Sequence, residues 1–115
     1  MKKNKQQENY LDKVPSKNSN IGFSVADDGK VTLEIENKGV FNRVFQKLFK
    51  KPKISYIHLD EFGSFVWQQI DGEKDITHIG EAVEAKFGEK AHPLYERLVK
   101  YFEILKSYSF ITFKD

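Results

Sequence analysis

The chain has 115 residues, of which 39% are hydrophobic and 31% charged; that is enough for one small core and excludes a multidomain enzyme. It contains no cysteine, which excludes disulfides, thiolate zinc sites, iron–sulfur clusters and a cysteine nucleophile. The net charge of +2 hides an asymmetry, since residues 1–53 hold 12 basic and 6 acidic side chains while residues 54–115 hold 7 and 11. Any anion-facing surface therefore belongs to the front half. The longest uninterrupted apolar stretch is Phe65-Val66-Trp67, far short of the roughly 20 residues that cross a bilayer. Met1-Lys2-Lys3 leads into polar residues rather than an apolar signal segment, so the expectation is a cytoplasmic protein with no membrane partner.

Residues 1–20 are rich in Asn, Gln, Lys and Ser, with Tyr10, Leu11 and Val14 as the sizeable apolar groups after Met1. Such a stretch buries too little to offset the entropy of ordering its backbone, which predicts a flexible N-terminal arm and one domain over residues 21–115. Residues 21–25 and 31–36 alternate apolar with polar or small residues around Asp27-Asp28-Gly29, which predicts a β-hairpin. Val31, Leu33 and Ile35 share one face of its second strand and Thr32, Glu34 and Glu36 the other, as a sheet with one wet side requires.

Between residues 39 and 51 the period changes: Val40-Phe41, Val44-Phe45 and Leu48-Phe49 recur every four residues, with Arg43, Lys47, Lys50 and Lys51 between or after them. This predicts a short amphipathic helix with a basic outer face, closed by Pro52. Three roles are open to it: packing Phe41, Phe45 and Phe49 onto the sheet, docking a partner through those rings with Arg43 and Lys47, or reversible attachment to an anionic membrane surface. Residues 53–59 return to alternation, Ser55, Ile57 and Leu59 against Ile54, Tyr56 and His58, and predict a third strand.

From residue 60 the signals are helical. Asp60 caps a helix with Phe62, Val66 and Ile70 inward, stopped by Gly72. Asp75 caps a second, with Ile76, Ile79, Val83 and Phe87 inward, stopped by Gly88. Pro93 opens a third, with Leu94, Leu98, Tyr101, Phe102, Leu105 and Tyr108 on its apolar side. That third apolar arc extends round to Ile104 and Val99 and exceeds the roughly 100° stripe that packing on one layer requires, which implies a second contact, the terminal segment or a partner. Residues 110–113 read as a short terminal strand or tail. Trp67 fits either the core or the lining of a groove.

The run from His58 through Leu-Asp-Glu-Phe-Gly-Ser-Phe-Val-Trp-Gln-Gln-Ile-Asp to Gly72, the run Asp75-Ile-Thr-His-Ile-Gly-Glu-Ala-Val-Glu-Ala-Lys-Phe87, and the leucine-spaced third helix together resemble the PqqD family. The likeness covers residues 21–36 and 53–113 and consists of core spacing and caps. It departs from the compact family pattern in the 39–51 insert and in His78, where an acidic residue often stands. The resemblance implies an α+β, winged-helix-like fold, with a small antiparallel three-stranded sheet, a three-helix bundle and an extra helix inserted between the second and third strands. It also implies a noncatalytic module that captures the leader segment of a precursor peptide and presents it to a modifying enzyme, often a radical S-adenosylmethionine protein. By position, the peptide would add as a strand along Ile54, Ser55, Tyr56, Ile57 and His58, beside Leu94, Arg97, Leu98, Tyr101, Ile104 and Leu105.

An edge strand is a ready template for another strand, so the physics is compatible with that mode. Alternatively, the edge is covered by the 39–51 helix or the tail. Proline at Ile57 is expected to weaken binding if that N–H faces outward. The other function class is a winged-helix-like adaptor or regulatory protein that binds a folded partner through the 39–51 helix. Specific nucleic-acid binding is disfavoured, because Asp75, Glu81, Glu84 and Glu89 outnumber Lys86 and Lys90 around the second helix. His58, His78 and His92 are too dispersed to predict a metal site. No cofactor motif, nucleophile elbow or phosphate loop occurs, and no enzymatic activity is expected.

Overall fold

The computed structural model describes residues 10–37 and 53–114. In chain order the elements are β1 (Val14–Lys17), β2 (Gly22–Val25), β3 (Val31–Asn37), β4 (Lys53–His58), α1 (Glu61–Gln69), α2 (Ile76–Phe87), a 3-10 turn (Gly88–Ala91), α3 (Leu94–Ser107) and β5 (Ile111–Lys114). They form an α+β fold with two antiparallel sheets: β2, β3 and β4 in spatial order, and a separate β1–β5 ribbon. The predicted 39–51 helix, with Phe41, Arg43, Phe45, Lys47 and Phe49, lies outside the described residues.

The hairpin forms as its sequence requires. Ala26 N–H donates to Lys30 O at 2.9 Å and Gly29 N–H to Ala26 O at 2.9 Å. Gly29 takes φ +87°, a left-handed value open to glycine at little cost. The inner face of β3 is fully removed from water at Val31 and Leu33. The first two helices carry their predicted caps: Asp60 Oδ1 accepts from Gly63 N–H at 2.7 Å and Asp75 Oδ1 from His78 N–H at 2.8 Å, while α3 follows Pro93 without a side-chain cap. Val66, Ile70, Ile76, Ile79, Val83, Leu98 and Phe102 close the core between sheet and bundle. On α1 the inward face is turned toward Trp67, which is fully buried, while Phe62 sits at its margin, so Trp67 is core.

The ordered fold begins earlier than the expected arm allows. Val14–Lys17 pairs with Ile111–Lys114 in the register Val14↔Lys114 to Lys17↔Ile111. Leu11 and Pro15 are fully buried, and the segment is tied to α2 by Ile76 N–H donating to Lys13 O at 3.1 Å and by Thr77 Oγ1 donating to Leu11 O at 3.2 Å. A polar segment with few apolar residues is thus ordered because a strand nearly a hundred positions away supplies its backbone partners. The same ribbon provides the second contact implied by the wide apolar arc of α3, since Phe110 and Ile111 are buried in the core cluster.

Candidate functional site

β4 is the outer strand of the three-stranded sheet, and among the described residues only β3 pairs with it. The terminal strand β5 pairs with β1 instead, so the tail does not pair with the β4 edge. Which backbone groups of β4 face outward follows from the register Thr32↔His58, Leu33↔Ile57, Glu34↔Tyr56, Ile35↔Ser55 and Glu36↔Ile54. Leu59 N–H donates to Val31 O at 2.9 Å, and in an antiparallel ladder such hydrogen-bonded pairs alternate. Ser55 and Ile57 therefore direct their amides and carbonyls into the sheet, and Ile54, Tyr56 and His58 direct theirs to the outer edge. The Ile57 N–H faces β3, so proline there would break the sheet itself; the proline test belongs at Tyr56.

The side chains of β4 divide by the same alternation. Ile54, Tyr56 and His58 stand on the outer face with Thr32, Glu34 and Glu36, and the His58 imidazole Nδ1 and Thr32 hydroxyl are 2.9 Å apart. Ile57 stands on the inner face, opposite Leu33. Ile54 is 43% exposed, Tyr56 58% and Ile57 37%. Three large apolar side chains in one edge strand thus keep a third or more of their surface in water, a concentration that marks interaction surfaces better than scattered exposed residues do.

A serine on α1 completes the far rung of this sheet. Val31 N–H donates to Ser64 Oγ at 2.8 Å, and Ser64 Oγ donates to Leu59 O at 3.2 Å. The hydroxyl is spliced between two strand groups at the end of the β3–β4 ladder, and Ser64 is 2% exposed. Next to it, a Cβ on Gly63 would stand 3.2 Å from Tyr101 Cε2 and 3.0 Å from Asp60 Oδ1. This close approach lets α3 reach the junction of β4 and α1, where Tyr101 OH donates to Gly63 O at 2.7 Å. Burial, followed by the charge of Asp60, raises the Tyr101 phenol well above its ordinary pKa and keeps it a donor.

The α3 residues expected beside the peptide separate into two groups. Leu94, Leu98 and Leu105 are buried in the core and offer no surface to a ligand. Arg97 lies with its guanidinium 4.0 Å from the centre of the Phe62 ring and donates from Nη1 to Lys90 O at 2.9 Å. Tyr101 is half-buried against Phe62, with the rings edge to face at 6.1 Å. Ile104 is 48% exposed, and one turn on Tyr108 stacks on Phe110 with ring centres 5.5 Å apart. Arg97, Tyr101 and Ile104 are therefore the expected helix residues with accessible surface.

The other two histidines each have a local carboxylate partner. His78 Nδ1 lies 2.6 Å from Asp75 Oδ1, and that hydrogen bond raises the imidazole pKa from 6.5. His92 Nε2 lies 2.7 Å from Glu84 Oε2. Among the described residues no group of three His, Asp or Glu side chains is placed to hold a metal ion, and no helix is long and apolar enough to cross a membrane. A cleft of about 700 Å³ between α2 and α3 is lined by Gly80, Glu81, Glu84 and the 92–95 segment, and no residue of β4 lines it.

Sequence reasoning did not find Ser64 or Gly63, although a serine and a glycine within the first turn of a strand-following helix mark a tight helix–strand contact. It also did not find the cluster in which Lys17 Nζ lies 4.7 Å from the centre of the Phe23 ring and 5.5 Å from that of Trp67.

A family model described as Coenzyme PQQ synthesis protein D (PqqD) matches residues 46–111, more than half of the chain. No curated protein and no solved structure matches it.

Proposed function

The chain belongs to the PqqD family, and from that premise we propose that it is a noncatalytic binding module. It captures a precursor leader peptide as an added strand along residues 54–58 and presents it to a separate modifying enzyme, such as a radical S-adenosylmethionine protein. Family membership supports an accessory role in the biosynthesis of the quinone cofactor or of other modified peptides. In this reading the domain is winged-helix-like.

One observation carries the proposal: β4 combines outward-facing backbone groups at Ile54, Tyr56 and His58 with exposed apolar side chains at Ile54, Tyr56 and Ile57. Strand addition uses those two features together, main-chain hydrogen bonds for affinity and alternate side chains for selection. Tyr101 and Gly63 tie α3 to the first turn of α1, the helix that follows this strand. No reacting group is required, because the module contributes proximity and orientation to chemistry performed elsewhere.

The test is a titration of the isotopically labelled protein with a labelled candidate leader peptide, following backbone amide shifts. The expected result is a set of large shifts at Ile54, Tyr56 and His58, with smaller ones at Tyr101 and Ile104. Shifts confined to residues 40–51 would contradict strand addition and favour an adaptor that docks a folded partner through that segment.

A further inference from the structure

β3 and β4 share the same two faces of the sheet and are built differently. On β3 the inward side chains Val31 and Leu33 are fully buried and the outward ones are Thr32, Glu34 and Glu36, the division expected of a sheet with one wet side. β4 breaks that division. Ile54 and Tyr56 stand on the outer face opposite Glu36 and Glu34, Ile57 stands on the inner face opposite Leu33, and all three are exposed. With Ser55 between the first two, residues 54–57 read apolar, polar, apolar, apolar, a spacing that a strand with a single apolar face does not produce.

A strand added at the outer edge of β4 would lie about 4.8 Å away, with the Cβ atoms of directly opposed residues about 5 Å apart. Its side chains alternate between the same two faces. One residue therefore meets Tyr56 on the outer face, the residue two positions along in one direction meets Ile54 there, and the next residue in the other direction meets Ile57 on the inner face. Each of the three forms an apolar cross-strand pair, and the residue opposite Ser55 forms none. We infer that the peptide taken up at β4 carries its apolar side chains in a skewed spacing, two adjacent and a third two positions beyond, rather than in strict alternation. Along an antiparallel peptide the order is apolar, apolar, any, apolar, opposite Ile57, Tyr56, Ser55 and Ile54; along a parallel one it is the reverse. This rests on the strand-addition reading and adds the side-chain pattern of the peptide to it. The selection is by burial, so it does not turn on the neighbouring charges of Lys30, Glu34 and Glu36 and persists in high salt.

Fluorescein-labelled octapeptides of a single composition test it by anisotropy: Thr-Thr-Val-Val-Thr-Val-Thr-Thr, its reverse Thr-Thr-Val-Thr-Val-Val-Thr-Thr, and the alternating Thr-Val-Thr-Val-Thr-Val-Thr-Thr. Valine and threonine are both β-branched and both favour strands, so the peptides differ in apolar spacing alone. The skewed peptide that matches the direction of the added strand is expected to bind about three-fold more tightly than the other two, at low and high salt alike. Ile57→Thr should bring it level with the alternating peptide, whereas Ile54→Thr should weaken both and preserve the difference between them. A parallel series N-methylates the tightest-binding peptide at alternate residues, at one parity or the other. Because only alternate residues of an added strand direct their N–H groups to the neighbour, methylation should abolish binding at one parity and spare it at the other. One-parity sensitivity with equal affinities, or with the alternating peptide tighter, would overturn the inferred spacing and leave strand addition standing. No binding, or binding indifferent to methylation at either parity, would overturn strand addition and the spacing with it.

Discussion

The two outer strands of the three-stranded sheet are both exposed, yet they are finished differently. On β2, Phe23 keeps 41% of its surface in water, but its ring meets the edge of Trp67 at 5.8 Å and is covered by the Lys17 ammonium from β1. That strand is joined to the core through an aromatic pair and a cation from the second sheet. On β4, Tyr56 has no aromatic or cationic neighbour among the described residues, and the strand is longer, Lys53–His58 against Gly22–Val25. The contrast teaches that an edge strand is closed by side chains as much as by hydrogen bonds, and that among the described residues β4 lacks the side-chain cover that β2 has.

The comparison breaks most severely at Trp67. Replacing it with alanine removes the ring that anchors Phe23 and leaves a cavity, and should cost about 3–5 kcal/mol, read as a lower urea midpoint by circular dichroism. A loss below about 1 kcal/mol would mean that the site collapses and the β2 side needs no anchor. Ser64→Ala acts at the other end of the sheet. It leaves Val31 N–H buried without its acceptor and should cost about 1–3 kcal/mol, together with faster exchange of the Val31 amide. Unchanged exchange at Val31 would show that the hydroxyl does not hold the rung.

A matched pair of variants sharpens the difference between the edges. Phe23→Ala should lower stability by about 1 kcal/mol and leave peptide affinity unchanged. Tyr56→Ala should leave stability within about 0.5 kcal/mol and weaken peptide binding by about ten-fold. The reverse pattern would assign the docking edge to β2.

The smallest effect is expected at the cap of α2. Asp75 raises the folded-state pKa of His78, so the protonated pair stabilises the fold fully below the unfolded value of 6.5 and the contribution is lost as pH rises through the higher folded value. The melting temperature of the wild type relative to His78→Gln should therefore be higher at pH 5 than at pH 8. Because the imidazole is exposed the difference is small, and a difference that grows with pH would contradict the assigned pair.

The helices were legible because their signals are local: Asp60 and Asp75 cap where their spacing predicts, and Ile76, Ile79 and Val83 of α2 with Leu94, Leu98, Phe102 and Leu105 of α3 enter the core, whereas Tyr108, expected on the same side, is 66% exposed. The hairpin was legible through Asp27-Asp28-Gly29 for the same reason. β1 was not, because its order depends on β5, and a polar segment stabilised by a distant partner leaves almost no pattern in its own residues. The site was half legible. Alternation identified β4, but the direction of each N–H depends on which pairs of the ladder are hydrogen-bonded, so Ile57 was misjudged as a candidate outward donor. Periodicity likewise grouped Leu94, Leu98 and Leu105 with Ile104, since it locates an apolar face without saying how much of that face other elements cover.

The central claim is that the outer flank of β4 is open in the free protein. Native-state amide exchange followed by nuclear magnetic resonance reads this residue by residue. The account predicts alternation along the strand, with rapid exchange at Ile54, Tyr56 and His58 and slow exchange at Ile57, whose amide lies inside the ladder. Protection at Ile54, Tyr56 and His58 equal to that at Ile57 would show the flank already paired within the molecule, leaving no place for an incoming strand.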